Sequence, residues 1–119
     1  MSTSSTIGIL NVDGTVQTIY CHFDGYPTGV GKTLEDHYKT EEKVRALIAL
    51  GDISSLGEEI GEKHDFDKRV PKWVNAYGRD RGESDVDAIK HRNLQAAKQN
   101  SCSYFYLFDT SNTSWRRIK

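Results

Sequence analysis

The sequence predicts an α+β domain: a small antiparallel or mixed sheet with β-hairpins at both ends and two to three helices packed on one face. Three observations carry this. Two segments rich in β-branched and aromatic residues are joined by Asp13-Gly14, two more meet at residues 110–112, and between these pairs residues 40–51 repeat apolar side chains at helical spacing. The 119 residues are read as one domain over 1–119, with one modest core and residues 1–5 as a flexible N-terminus.

Each element follows from its residues. Residues 6–12 and 15–23 form the first hairpin, because Asp13-Gly14 supplies the positive backbone angles of a tight turn. In its second strand Ile19, Cys21 and Phe23 share the core face, with Tyr20 and His22 opposite. Residues 24–31 hold three glycines and a proline and form a loop, after which Thr33 caps a short helix to Tyr38. Thr40 caps a second helix with Glu41 and Glu42 in its first turn, Val44, Leu47 and Ile48 on one face, and Gly51 at its stop. Residues 51–72 read as a long surface excursion with a helical turn near 56–60. Residues 73–77 read as a short strand, 78–85 as a charged turn, and 86–91 as either helix or edge strand. Asn93 caps a helix through Gln99. The apolar run of 103–109 fits a central strand buried on both faces, and 113–118 forms the last strand.

Formal charge is −1, which exerts no global pull on nucleic acid or an anionic membrane, so neither is an expected partner. The average hides an asymmetry. Residues 35–62 carry eight acids against Lys39, Lys43 and Arg45, a net of −5, whereas 88–119 carry six bases against Asp109, a net of +5. The start MSTSST lacks the basic and apolar stretches of a secretion signal, and the apolar runs 46–50 and 104–108 are too short to span a bilayer. A cytoplasmic protein is expected, with Cys21 and Cys102 as buried thiols.

Residues 26–33, YPTGVGKT, differ by one letter from a phosphate-binding loop, G-x-x-x-x-G-K-[ST]. Tyr26 stands where the first glycine belongs, the preceding strand is tied into an antiparallel hairpin, and the chain is short for the repeated crossovers of that fold. Cys21, His22, Asp24, His37, His64 and Asp65 include the residue types of a zinc site. Yet Cys21 and His22 point to opposite faces of one strand, so no metal is assigned. The same divergence disfavours a Cys–His nucleophile, and no catalytic residue or cofactor is assigned. Arg79 and Arg81 would align two guanidiniums on one side of an extended chain, a fork suited to phosphate or carboxylate. Four acids in 79–87 favour a self-paired turn instead.

The segments DGTVQTIYCHFDGYPTGVGKTLEDHY, KVRALIALGDISSLGE, YGRDRGE and YFYLFD followed by Trp115 resemble a family of small accessory proteins of tailed bacteriophages and prophages. The resemblance spans most of the chain, and IYCHFDGYPTGVG is its most specific piece. It implies a protein of the host-cell cytoplasm that binds and inhibits a host protein or defence complex such as CRISPR–Cas. The expected contact residues are Tyr20, His22, Asp24, Tyr26, Gly29, Gly31, Lys32, Thr33, Arg79 and Arg81, with the acidic region 58–62 beside them. The alternative is a binding protein or enzyme for a nucleotide-like or phosphorylated ligand at loop 24–33, with Lys32 and Arg79 or Arg81 meeting phosphate. Mimicry of nucleic acid by the acidic segment is a third option, which a net of −5 is too mild to favour.

Overall fold

The computed structural model describes residues 2–119. The first hairpin forms from β1 (Ser5–Leu10) and β2 (Val16–Cys21), paired antiparallel with Leu10 opposite Val16. Its connection is longer than a two-residue turn. Asn11 N donates to Thr15 O at 2.9 Å, Gly14 N donates to Asn11 O at 3.0 Å, and of the Asp13-Gly14 pair only glycine takes a positive φ, +90°. Asp13 instead accepts from the Thr15 amide and hydroxyl, which fixes the longer connection.

A single π-helical turn, Pro27–Gly31, runs into α1 (Lys32–His37), so α1 begins on Gly31 and Thr33 lies inside the helix rather than capping it. Helix α2 (Glu41–Ala49) forms as its residues dictate, with the Thr40 side chain accepting from Lys43 N and Gly51 left-handed at φ +77° beyond its end. Then come β3 (Ile53–Ser55) and β4 (Asn75–Ala76). Residues 56–60 are not helical. Glu59 pairs with Trp73 there, and its amide bonds Lys72 O. The charged segment after β4 is a short helix, α3 (Tyr77–Arg81), closed by left-handed Gly82. The chain continues with the edge strand β5 (Ile89–His91), α4 (Leu94–Gln99) capped by Asn93, β6 (Phe105–Asp109) and β7 (Ser114–Arg117).

Among the described residues, one mixed sheet of seven strands holds these together in the order β4-β3-β2-β1-β6-β7, with β5 pairing β2 beside β3. β2 and β3 are parallel, joined by the crossover through α1 and α2, and β1 and β6 are also parallel. The remaining pairs are antiparallel. The molecule is an α+β fold. On one face Ile7, Ile9, Ile19, Cys21, Tyr106 and Phe108 pack with Leu34 of α1 and Val44, Leu47 and Ile48 of α2. On the other, Val16, Phe105 and Leu107 pack with Ala97 of α4, so β6 is covered on both faces. Gly8 lies beneath this second layer, where a Cβ would stand 3.0 Å from the Phe105 ring.

The N-terminus is more ordered than its composition suggests. Residue 1 lies outside the described residues, but Ser5 is buried in β1 and Thr3 O accepts from Gly25 N at 2.7 Å. Cys21 is buried and free, whereas Cys102 is free and only half-buried. No helix among the described residues is long and apolar enough to cross a membrane.

Candidate functional site

Beyond Cys21 the chain keeps bonding to β3: His22 N donates to Ile53 O at 3.1 Å and Phe23 N to Ser54 O at 3.0 Å. Asp24 then turns it away at φ +60°, a left-handed conformation that Asp tolerates better than most side chains. Residues 25–31 form a packed turn. Gly25 N reaches Thr3 O, Tyr106 donates its hydroxyl to Gly25 O at 2.7 Å, and Gly29 N and Val30 N bond Tyr26 O and Asp24 O. The Lys32 amide is shared between Gly29 O and Pro27 O.

The glycines answer to neighbours. A Cβ on Gly25 would sit 2.6 Å from Ser4 O, one on Gly29 would collide with Asp24 O, and one on Gly31 would come within 3.0 Å of the Tyr106 ring. A phosphate loop needs free amides converging on one point, and here those of Gly25, Gly29, Val30 and Lys32 are committed inward. The Lys32 ammonium lies 3.0 Å from Asp36 on the exposed face of α1. Thr33 lines a polar cleft of about 220 Å³ with Phe23, Asp24, Tyr26 and Gly29. Tyr26 donates to Asp24 Oδ1 at 2.9 Å, and that bond raises the phenol pKa above its ordinary value.

Two substitutions separate packing from anion binding. Gly29→Ala is expected to cost about 1–3 kcal/mol in urea unfolding without any ligand, from overpacking. Lys32→Ala breaks only an exposed pair and is expected to stay within about 0.5 kcal/mol. A neutral Gly29→Ala would contradict the packed-turn account.

Tyr20 and His22 follow one another on the sheet face opposite α1 and α2, and the phenol oxygen shares a 2.7 Å hydrogen bond with His22 Nδ1. Burial raises the Tyr20 pKa, so the phenol remains protonated. Asp52 accepts the Tyr20 amide at 2.9 Å, and burial raises its pKa while that hydrogen bond opposes the shift. The His22 ring meets Phe23 edge-on at 4.6 Å, and the Arg69 guanidinium lies over Phe23 at 5.4 Å while donating to Ser54 Oγ. Tyr20, His22, Phe23 and Arg69 are thus linked in series at the end of β2, and Phe23 also lines the cleft with Asp24 and Tyr26.

Arg79 and Arg81 do not join it or each other, because two residues along a helix point to different sides. Arg79 is turned inward. It donates to both oxygens of Asp80, at 2.9 and 3.1 Å, and to the carbonyls of Ile60 and Val74 at 2.8 and 2.7 Å. Asp80 also accepts from Ala76 N and His64 N. Burial alone would raise its pKa; the guanidinium and the two amides outweigh that and hold it below the usual carboxylate range. Arg81 faces outward over the Phe66 and Tyr77 rings, which stack on each other, and pairs with Glu83. Arg79 is a structural clamp and Arg81 a surface group.

Sequence reasoning missed Phe23 and Arg69 as members of the surface. Strand alternation puts Phe23 on the core face, and Arg69 sits in an excursion with no periodicity to fix its position. Cys21, close by in sequence, is buried with its thiol pKa raised to about 12, chiefly by desolvation, which leaves it protonated and inert. Among the described residues no group of three or more His, Cys, Asp and Glu side chains is placed to hold a metal ion. No family model, curated protein or solved structure matches the chain.

Proposed function

We propose that this is a small phage-encoded binding protein that inhibits a host factor in the host-cell cytoplasm, with a defence system such as CRISPR–Cas as its target. The observation that carries the reading is the inward commitment of the loop after β2. With its amides bonded and its glycines packed, it offers side chains rather than an anion nest. Tyr26 is 40% exposed and shares its cleft with Phe23, which His22 and Arg69 hold in place, His22 being bonded in turn to Tyr20. Tyrosine and arginine on a pre-organised surface give a protein partner contact area at little ordering cost. The phage setting and the defence target come from the resemblance of the segments around IYCHFDGYPTGVG.

The phosphorylated-ligand alternative has the polar cleft at Thr33 in its favour, but the Asp24 carboxylate lining that cleft repels an anion. Affinity capture from phage-infected cells separates the two. The wild-type protein is expected to retain a host protein, the His22→Ala/Tyr26→Ala double variant to lose it, and Lys32→Ala to keep it. Capture of no host protein, together with nucleotide binding by calorimetry that Lys32→Ala abolishes, would sink the reading.

A further inference from the structure

We infer that the free edge of β7 is a docking site for an extended segment of a partner protein that alternates apolar and acidic residues. The inference begins with the hydrogen bonds of the last hairpin. Ile118 N donates to Phe105 O at 2.7 Å, and the register sets Leu107 opposite Arg116 and Asp109 opposite Ser114. Bonding alternates along an antiparallel pair, so Ser114, Arg116 and Ile118 turn their main-chain groups toward β6. The amides and carbonyls of Trp115 and Arg117 turn outward. Strand β7 ends the sheet, and no main-chain or side-chain hydrogen bond from outside the ladder reaches these groups among the described residues. They are spaced to pair with one added strand.

The side chains say what that strand carries. Trp115 and Arg117 sit opposite Phe108 and Tyr106, on the α1 side of the sheet, and a cleft of about 150 Å³ opens there between β7 and the start of α1. Pro27, Leu34, Tyr106 and Trp115 give it apolar walls. The indole is held in place by donating to Tyr38 O at 2.8 Å. An added strand would put alternate side chains into this cleft, where the apolar walls fit apolar residues and the charges of Glu35 and Arg117 on its lining offset each other. Its other side chains would stand beside Arg116, which is half-exposed and only loosely paired, 3.9 Å from Asp109. Arg117 stands on the cleft side, 6.0 Å from the Tyr104 ring, so the preference for acids on the other side is set by Arg116. A second copy of this chain is the poorer occupant, because two β7 edges paired together would set arginines against arginines.

The inference does not rest on the host-factor reading, which concerns the surface at the end of β2, and each can fail alone. The test uses the full-length, isotope-labelled protein with a capped peptide alternating Val and Glu, and its Val/Lys counterpart as control. The Val/Glu peptide is expected to protect the Trp115 and Arg117 amides from hydrogen exchange, with Arg116 unchanged because it is already bonded to β6. The Val/Lys peptide is expected to give no protection. In the Arg116→Glu/Arg117→Glu variant the preference should pass to the Val/Lys peptide. Absence of binding, protection elsewhere, equal response to both peptides, or self-association through the same two amides would each overturn the assignment.

Discussion

Replacing Asp80 by Asn is expected to destabilise the fold by about 3–5 kcal/mol, the range for breaking one partner of a buried charge pair. The side chain of Asp80 has no exposed surface and accepts from the Arg79 guanidinium and from the amides of Ala76 and His64. An amide in its place turns an NH₂ group toward donors and leaves Arg79 buried without a counter-charge. The loss should extend along the chain, because Arg79 also ties the carbonyls of Ile60 and Val74 and thus fixes both ends of the excursion between β3 and β4. With a urea m-value of about 2 kcal/mol/M, the midpoint should fall by about 2 M. The pH dependence comes from the lowered pKa of Asp80. Its contribution is fully present above the unfolded value of 3.8 and is lost as pH falls below that value through the folded one. The wild type should therefore lose stability steeply in acid, and Asp80→Asn should show a flatter profile. A midpoint unchanged at neutral pH would remove the clamp from the account.

Phe108→Ala is expected to cost about 3–5 kcal/mol through lost burial and the cavity left behind. Phe108 is fully buried in β6, beside Ile9 in the parallel register with β1 and edge-on to Trp115 at 5.3 Å. β6 is bonded to β1 on one side and β7 on the other, so the backbone cannot close over the gap. Trp115 would lose the ring it packs on, so its fluorescence should report the same loss as urea unfolding. Val12→Ala, at a side chain 87% exposed in the first hairpin connection, should stay within about 0.5 kcal/mol. A cost below about 1 kcal/mol at Phe108 would show that the layer around it is less tightly packed than described.

The elements legible in the sequence are those whose signals are local. Thr40, the apolar stripe of Val44, Leu47 and Ile48, and Gly51 specify α2 unaided, and Asn93 does the same for the start of α4. The apolar run before Asp109 marks a strand buried on both faces, as β6 is. The parallel pairing of β1 with β6 and of β2 with β3 was not legible, because hairpins fix neighbours in sequence but not how the pairs are laid together. Residues 51–72 were misread as an irregular surface excursion for the same reason. Their order depends on distant groups, such as Glu59 bonding Lys72 and Arg79 reaching back to Ile60. At the candidate site, the glycine-rich loop was readable as a loop. Its glycines are explained by Ser4, Asp24 and Tyr106, and two of those three lie elsewhere in the chain.

The proposal that the protein inhibits a host defence is tested most directly by plaque formation. A defence-sensitive phage would be plated on a host carrying an active CRISPR–Cas system and expressing this chain or its His22→Ala/Tyr26→Ala variant. The account predicts that the wild-type chain restores plaques, that the variant does not while still folding and accumulating normally, and that Lys32→Ala restores them like wild type. Plaques absent with the wild-type chain across defence-bearing hosts, alongside a phosphorylated metabolite bound or consumed by the purified protein, would contradict it.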